Sequence, residues 1–158
     1  LQPLWFVLMA LLHDTYFYWT HRLMHHPKLF KLFHLTHHKS TNPSPWASYA
    51  FSPLEAVVEG GIIPLIAFLI PAYKPVFFVF LFTQLIVNVY GHTGFEFFGK
   101  GFHKTRIGKW INTSVAHNMH HQYFHGNYSL YFLFWDRWMG TLNPKYDDAY
   151  EKAYKHKA

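Results

Sequence analysis

The sequence predicts an all-α protein of the membrane, built as a helical bundle with a transmembrane hairpin and a histidine-rich helical cap. The 158 residues are 51% hydrophobic and 22% aromatic, yet they include 14 histidines. Of the 14 Lys and Arg residues, all but Lys74 lie outside the apolar segment 54–92. This asymmetry is expected of a membrane protein whose polar parts share one side.

The apolar segment 54–92 contains two possible membrane-spanning arms, Leu54–Ile70 and Pro75–Gly91, joined by a short connection that contains Pro71. Each arm has 17 residues, and at about 1.5 Å per residue it reaches roughly 26 Å, just short of the ~30 Å hydrocarbon core. We therefore expect flanking residues or local thinning to complete the crossing. A buried hairpin of a soluble protein is the alternative that these short segments leave open.

The remaining elements follow from local patterns. Residues 3–26 are predicted as a helix that Pro27 ends or restarts, and residues 28–40 as a short amphipathic helix. The proline-rich stretch 39–53 reads as a loop, and the Gly-rich basic stretch 93–116 as a surface segment. The charged tail, 143–158, is expected to be exposed.

Composition also restricts the function. The chain lacks cysteine, which excludes disulfides, zinc ribbons, thiolate clusters and cysteine nucleophiles. Its net charge of +6 is not gathered into a stripe on one helix, so nucleic acid is not a predicted partner. Because residue 1 is Leu and the first dozen residues are already apolar, we expect 1–158 to be one catalytic domain from an N-terminally truncated fragment.

Most histidines occur at spacings with geometric meaning. On an α-helix, positions i, i+3 and i+4 share one face, so each of the two HxxHH clusters is predicted to aim three imidazoles at one point. Imidazole suits Zn, Cu, Fe and Ni, and one tetrahedral zinc would use four ligands at most. Nine candidates therefore indicate two metals with four or five ligands each: His21, His25, His34, His37, His38, His92, His117, His120 and His121.

Weaker candidates surround this set. His26, Asn88 and His125 are further candidate ligands, whereas His156 is expected at the surface. Metal-bound histidine usually donates its second N–H to a carboxylate or carbonyl. The acids outside the tail that are predicted to orient the ligands in this way are Asp14, Glu55, Glu96 and Asp136, for each of which a structural ion pair is the alternative.

Together these motifs resemble the fatty acid hydroxylase and sterol desaturase superfamily. The likeness runs from Asp14 to Thr141 and is specific in the order of its boxes, HxxxH, HxxHH and HxxHH. One departure is Ser129, where members often have Gly. The residues that carry the likeness are Asp14-x-x-x-Tyr18-Trp19-x-His21-Arg22-x-x-His25-His26, His34-x-x-His37-His38, Gly91-His92-Thr93-Gly94, His117-x-x-His120-His121, Asn127-Tyr128 and Trp135-Asp136-Arg137.

The resemblance implies an integral membrane oxygenase with a di-iron centre, held on a cytosolic cap by the nine histidines named above. It implies O2, a lipid substrate (sterol, fatty acyl or related) and an electron donor such as cytochrome b5, a ferredoxin or a reductase. Iron is the expected metal, with zinc as a substitute in purified protein. The implied location is the bacterial inner membrane or the endoplasmic reticulum, and hydroxylation and desaturation both stay open.

Two other classes are weighed against this one. A bis-His haem electron-transfer membrane protein needs only two to four histidines and leaves both HxxHH clusters unexplained. A zinc hydrolase or a transport protein is less favoured, because the chain has no HExxH motif and few acids near the histidines that would act as a general base.

Overall fold

The computed structural model describes residues 1–155, and this part of the chain is helical without a β-strand. The all-α prediction is confirmed. Short 3₁₀ turns occur at Pro45–Tyr49, Phe102–Lys104 and Gly108–Trp110. The helices are α1 (Gln2–Met24), α2 (Pro27–Phe33), α3 (Leu35–His38), α4 (Pro53–Gly60), α5 (Ile62–Leu69), α6 (Lys74–Gly91), α7 (Ser114–Tyr123), α8 (Phe134–Trp138) and α9 (Tyr146–Lys155).

The apolar half of the molecule is formed by α1, α5 and α6. Pro3 lies in the first turn of α1, where its missing N–H costs nothing, and Pro27 begins α2 directly after α1 has ended. Side chains of the three helices form a buried core of Met9, Ile62, Ile66 and Phe80. This core fixes α1 against α6, and both helices carry histidines at their C-terminal ends.

The first arm of the predicted hairpin is not a continuous helix. The segment Leu54–Ile70 divides at Gly61 into α4 and α5. A Cβ at Gly61 would lie 3.0 Å from the Tyr16 hydroxyl, which donates a hydrogen bond to the Val58 carbonyl. The Gly60-Gly61 pair therefore marks the point where α1 approaches the chain most closely, and the helix breaks there.

The second arm is observed as α6. Among the described residues, it is the helix that is long and apolar enough to cross a membrane, with a mean hydropathy of 1.4 over 18 residues. Little of it is buried, and Phe78, Val79 and Phe82 are each more than half exposed. One of the two predicted membrane-spanning arms is therefore present as a continuous helix, and the transmembrane hairpin is not confirmed.

The predicted exposed tail has one buried face in the part that the structure describes. Tyr146 and Tyr150 lie one turn apart on α9, and they are 1% and 0% exposed where they pack with Ala116 and Met119 of α7. This apolar face was hidden in the sequence by the surrounding charges. Residues 156–158, including His156, lie outside the described residues.

The predicted amphipathic helix 28–40 is also divided, into α2 and α3, at His34. His34 has φ −120° and ψ −11°, outside the helical range, and its ring is held by a contact with α4. A long-range contact thus ends α2 at a point that local periodicity does not mark.

Candidate metal centre

Nine buried or half-buried histidines converge where the ends of α1 and α6 meet α3 and α7. They form two groups, and within each group the nearest ring nitrogens all lie within 4.8 Å of one another. The structure brings together all nine residues singled out in the sequence. Group A contains His21, His25, His34, His38 and His120, and group B contains His37, His92, His117 and His121.

The two HxxHH clusters do not each face one point, which corrects the sequence prediction. In α3, His34 and His38 belong to group A and His37 to group B; in α7, His117 and His121 belong to group B and His120 to group A. Successive residues on an α-helix are turned by about 100°, so positions i+3 and i+4 point in clearly different directions. Each cluster therefore serves both groups, and the two groups adjoin.

Hydrogen bonds hold the Nδ1 atoms of five rings and settle the tautomer of four of them. His34 Nδ1 lies 2.6 Å from the Glu55 carboxyl group, and His92 Nδ1 lies 2.7 Å from the Asn88 carbonyl. Three other rings contact carbonyl oxygens at 2.8 to 3.0 Å: His21 at Tyr128, His120 at Gly126 and His121 at Ser40. Because a carbonyl oxygen only accepts, Nδ1 carries the proton in the four rings that contact a carbonyl, and Nε2 of each of these neutral rings has a free lone pair.

Nε2 lone pairs point at one another. In group B, the Nε2 atoms of His92 and His121 are 3.2 Å apart, although neither carries a proton in the neutral ring. His92 Nε2 also lies 3.1 Å from His37 Nε2 and 3.0 Å from His117 Nε2, and in group A His21 Nε2 lies 2.9 Å from His34 Nε2. Facing lone pairs repel unless a cation lies between them, so the arrangement requires a shared positive charge.

Protons are a poor source of that charge. Burial, together with the neighbouring histidines, lowers the pKa of His38 to about 2. Burial also lowers the pKa of His121 to about 3, and the pKa values of His37, His117 and His120 fall well below the ordinary value for the same reason. The rings are therefore neutral near pH 7, as metal ligands must be.

The donor set fits two metal ions. Two nitrogens bound to one ion at roughly 2.1 Å lie roughly 3.0 Å apart at a right angle and roughly 3.4 Å apart at the tetrahedral angle. The Nε2 pairs His38–His120 and His117–His121 are separated by 3.0 and 3.2 Å. Groups of five and four imidazoles at such spacings suit a transition metal with more than four coordination positions better than a tetrahedral zinc.

Among the four predicted orienting acids, Glu55 contacts a histidine of the groups, His34. A capping box at the start of α4 holds it in place: the Ser52 hydroxyl accepts from the Glu55 N–H, and the Glu55 carboxylate accepts from the Ser52 N–H. The same hydroxyl donates to the Phe33 carbonyl, next to His34. The cap fixes Glu55 at the start of α4, and Glu55 in turn orients the His34 ring of group A.

The other three acids accept from backbone N–H groups and from hydroxyl groups. Asp14 Oδ1 accepts from the N–H groups of residues 130–132, at 2.6 to 3.3 Å. Asp136 accepts from the N–H groups of Tyr128 and Ser129, and thereby fixes the segment whose Tyr128 carbonyl holds His21. Glu96 accepts from the Tyr90 hydroxyl and from the Phe98 N–H.

The further candidate ligands lie outside both groups. His26 is exposed and caps α2, where its ring accepts from the Lys28 N–H, and His125 is exposed. Asn88 contributes its carbonyl oxygen to His92, while its side-chain amide donates to the Ser48 carbonyl. The structure thus places Asn88 as a support for His92.

Sequence reasoning missed the carbonyl oxygens of Ser40, Gly126 and Tyr128, because every residue has a carbonyl and no side chain marks the ones that matter. A partial signal exists after α7. Phe124, Gly126 and Asn127 all have positive φ (62°, 78° and 55°), and they turn the chain back over the histidines. The Ser52-x-x-Glu55 capping box was a readable signal for the position of Glu55.

Fold and site together define an all-helical protein organised around two adjoining histidine groups that can hold metal ions. The chain belongs to the fatty acid hydroxylase family, whose model matches residues 6–141. The resemblance seen in the motifs is thereby confirmed.

Curated relatives agree with this family. The chain is 35% identical to a Delta(7)-sterol 5(6)-desaturase of Leptosphaeria maculans over 147 residues, which are 90% of this chain and 38% of the relative. It is 34% identical to the lathosterol oxidase of Homo sapiens over 136 residues, 83% of this chain and 42% of the relative. The chain thus spans less than half the length of these two relatives, and no solved structure matches it.

Proposed function

We propose that this chain is the catalytic part of a membrane di-iron oxygenase that uses O2 and an external electron donor to hydroxylate or desaturate a lipid. The observation that carries the proposal is the convergence of Nε2 lone pairs in two groups of neutral, buried imidazoles. Such a site needs cations, and imidazole is a suitable ligand for iron. The family supports a lipid substrate, and the relatives named above favour a sterol.

The nine histidines are the proposed ligands, with group A holding one ion and group B the other. When bound, the iron pair would supply the activation of O2 and the oxidation of an unactivated C–H bond. The protein's own part is to orient the rings. Glu55 holds His34, the Asn88 carbonyl holds His92, and the buried surroundings keep water away from the reacting carbon.

The location of the site supports a substrate that arrives from the bilayer. Helix α6 has an exposed apolar surface, and its C-terminal end leads into His92 of group B. We propose that α6 lies in the membrane and that the histidine groups lie at its cytosolic surface, where the basic residues of the chain concentrate. A cytochrome b5, a ferredoxin or a reductase would deliver electrons from that side.

The geometry argues against the haem alternative. Two axial histidines of one haem lie on opposite sides of the iron, roughly 4 Å apart between nitrogens, with the porphyrin plane between them. Here the facing Nε2 atoms are 2.9 to 3.2 Å apart, which leaves no room for a macrocycle between them.

The test expresses the full-length gene in a host that supplies a reductase, and compares cellular lipids by mass spectrometry. We expect a new hydroxylated or desaturated lipid with the wild type, and its loss with His120→Ala, because His120 is a fully buried member of group A. Metal analysis of the purified wild type is expected to find two irons and no haem Soret band.

His125→Ala is the matched control, since His125 is exposed and belongs to neither group. It is expected to retain both product and iron. A lipid profile that is identical in the wild type and in His120→Ala, with iron loading of the wild type verified, would overturn the proposal.

A further inference from the structure

A cavity of about 260 Å³ lies beside the histidine groups, between α1, α4 and α6. Its walls are mostly apolar, and its lining includes Phe17, Phe51, Ile62, Ile63 and Phe80. Ile63 is 44% exposed and Tyr49 46%, so the cavity reaches the surface of the molecule beside these residues. An apolar cavity with few polar groups is typical of sites for small hydrophobic ligands.

The cavity adjoins a smaller void of about 10 Å³ whose lining includes His21, His34, His37, His92 and His117. Four residues line both spaces and therefore stand between the apolar cavity and the histidines: Phe17, Phe51, Glu59 and Asn88. Two of these four are polar, and they differ in how their side chains are used.

The amide nitrogen of Asn88 is already engaged, because it donates to the Ser48 carbonyl. Glu59 lies one helical turn beyond Glu55 on α4, and within residues 1–155 its carboxylate takes part in no hydrogen bond or ion pair. A carboxyl group left without a partner at the wall of an apolar cavity is costly. A ligand that brings a hydrogen-bond donor into the cavity would satisfy it.

We propose that this cavity binds the hydroxyl-bearing end of a lipid alcohol, with Glu59 as the acceptor that recognises the hydroxyl. A carboxyl group accepts a hydrogen bond from a hydroxyl whether it is protonated or ionised. The carboxylate of a fatty acid has no hydrogen to donate, so Glu59 would not act toward it as an acceptor. Since Glu59 also lines the histidine void, the bound hydroxyl would lie close to the histidine groups.

Gly60 also supports this cavity as a binding site, because its lack of a side chain leaves space there. It lines the same cavity, and a Cβ placed there would have no atom within 4 Å. Its φ does not lie in the left-handed region, so a larger residue fits the backbone without strain. The volume that a side chain at position 60 would occupy is therefore available to the ligand.

The proposal rests on the proposed function for the identity of the reaction, but its test is equilibrium binding. The protein, in lipid nanodiscs with the metal that it carries, is kept free of O2 so that no turnover occurs. An intrinsically fluorescent sterol alcohol, its O-methyl ether and a fluorescent fatty acid are titrated separately. The wild type is expected to bind the alcohol roughly 10- to 100-fold more tightly than the ether, the range for leaving a buried acceptor without its hydrogen-bond donor.

The variants separate recognition from folding. Glu59→Leu is expected to bring the ratio of the affinity for the alcohol to the affinity for the ether to about 1. Glu59→Gln, whose amide oxygen still accepts, is expected to keep most of the preference for the alcohol. Gly60→Val fills part of the cavity and is expected to weaken the binding of the alcohol and of the ether by the same factor. Glu151→Leu, on the exposed face of α9, is the matched control and is expected to behave as the wild type.

The inference would be overturned if Glu59→Leu kept the wild-type ratio of alcohol affinity to ether affinity. It would also be overturned if the fatty acid bound more tightly than the alcohol. These outcomes are separable from failure of the proposed function. If the ratio behaves as expected but no lipid is oxidised under O2, the function fails and the binding site stands. If a sterol is oxidised and Glu59→Leu leaves its KM and the binding ratio unchanged, the function stands and the role of Glu59 fails.

Discussion

At the scale of single residues, the centre depends on which ring nitrogen carries the proton. Five of the nine rings have Nδ1 held by an oxygen, and four of these oxygens are backbone carbonyls, which only accept. The fifth belongs to the Glu55 carboxyl group, 2.6 Å from His34. The contact fixes the orientation of the His34 ring, and an ionised carboxylate there would make the ring a stronger ligand.

This contact yields a prediction for Glu55→Gln. Glutamine at the same position preserves the capping box of α4, so the helix keeps its start, while an amide replaces the carboxyl group beside His34 Nδ1. We expect the affinity of the centre for its metal to fall about 10- to 100-fold, with little change in helix content. Competition with a chelator, followed by metal analysis, measures the loss.

Glu151→Gln is the control for that experiment, because Glu151 pairs with Lys104 at the surface and is remote from both groups. Equal metal affinity in Glu55→Gln and Glu151→Gln would show that the Glu55 carboxyl group does not act on the centre.

At the scale of elements, α7 is the helix that both groups share, because it carries three of the nine histidines. Thr113 caps its start by accepting from the Ala116 N–H, and its outer side packs on α9 through Met119, Tyr146 and Tyr150. The position of three ligands therefore depends on a helix that carries none of the nine.

The dependence is testable with Tyr150→Ala. Tyr150 is fully buried, and its hydroxyl donates to the Gly99 carbonyl at 3.1 Å. Removal of a buried aromatic ring is expected to lower the free energy of unfolding by about 3–5 kcal/mol and to reduce the bound metal. Thermal unfolding and metal analysis of the same preparations measure both effects.

Tyr123→Ala is a control of the same residue type, because Tyr123 lies at the end of α7 and is 43% exposed. We expect a much smaller loss of stability from it. If Tyr150→Ala unfolds at the wild-type temperature with full metal content, α9 does not support the site.

At the scale of the whole molecule, apolar surface and positive charge are segregated. The central part of α6 exposes Phe78, Phe82 and Ile86, and α5 exposes Phe68, which is 91% accessible. Exposed apolar surface of this extent marks contact with a membrane or with another protein. The Lys and Arg residues lie elsewhere along the chain, apart from Lys74 at the start of α6.

Membrane placement of α6 predicts the effect of Phe82→Arg. Phe82 lies at the middle of the helix and is 63% exposed, so arginine there would place a charge in hydrocarbon at a cost of about 2.5–3.5 kcal/mol. We expect less protein in the alkali-resistant membrane fraction, measured by immunoblot. Ile107→Arg, at an equally exposed position outside α6, is expected to leave that fraction unchanged.

If Phe82→Arg and Ile107→Arg remain in the alkali-resistant fraction to the same extent as the wild type, α6 does not anchor the chain. The exposed face of α6 would then be a contact surface for another protein.

The sequence by itself determined the helical class, the nine histidines and the second apolar arm. These features are local: helical periodicity, residue type and hydropathy are read from neighbours within one or two turns. The family resemblance was also accessible, because its motifs are short and lie in a specific order.

Only the tertiary structure decided how those histidines are divided and oriented. His21 is held by a carbonyl 107 positions away, and His25 and His120, which share group A, are 95 positions apart. The break at Gly61 and the burial of α9 likewise depend on Tyr16 and on α7, which are distant in sequence. Local periodicity does not show which distant part of the chain a side chain will contact. Those contacts are set by the packing of helices against one another.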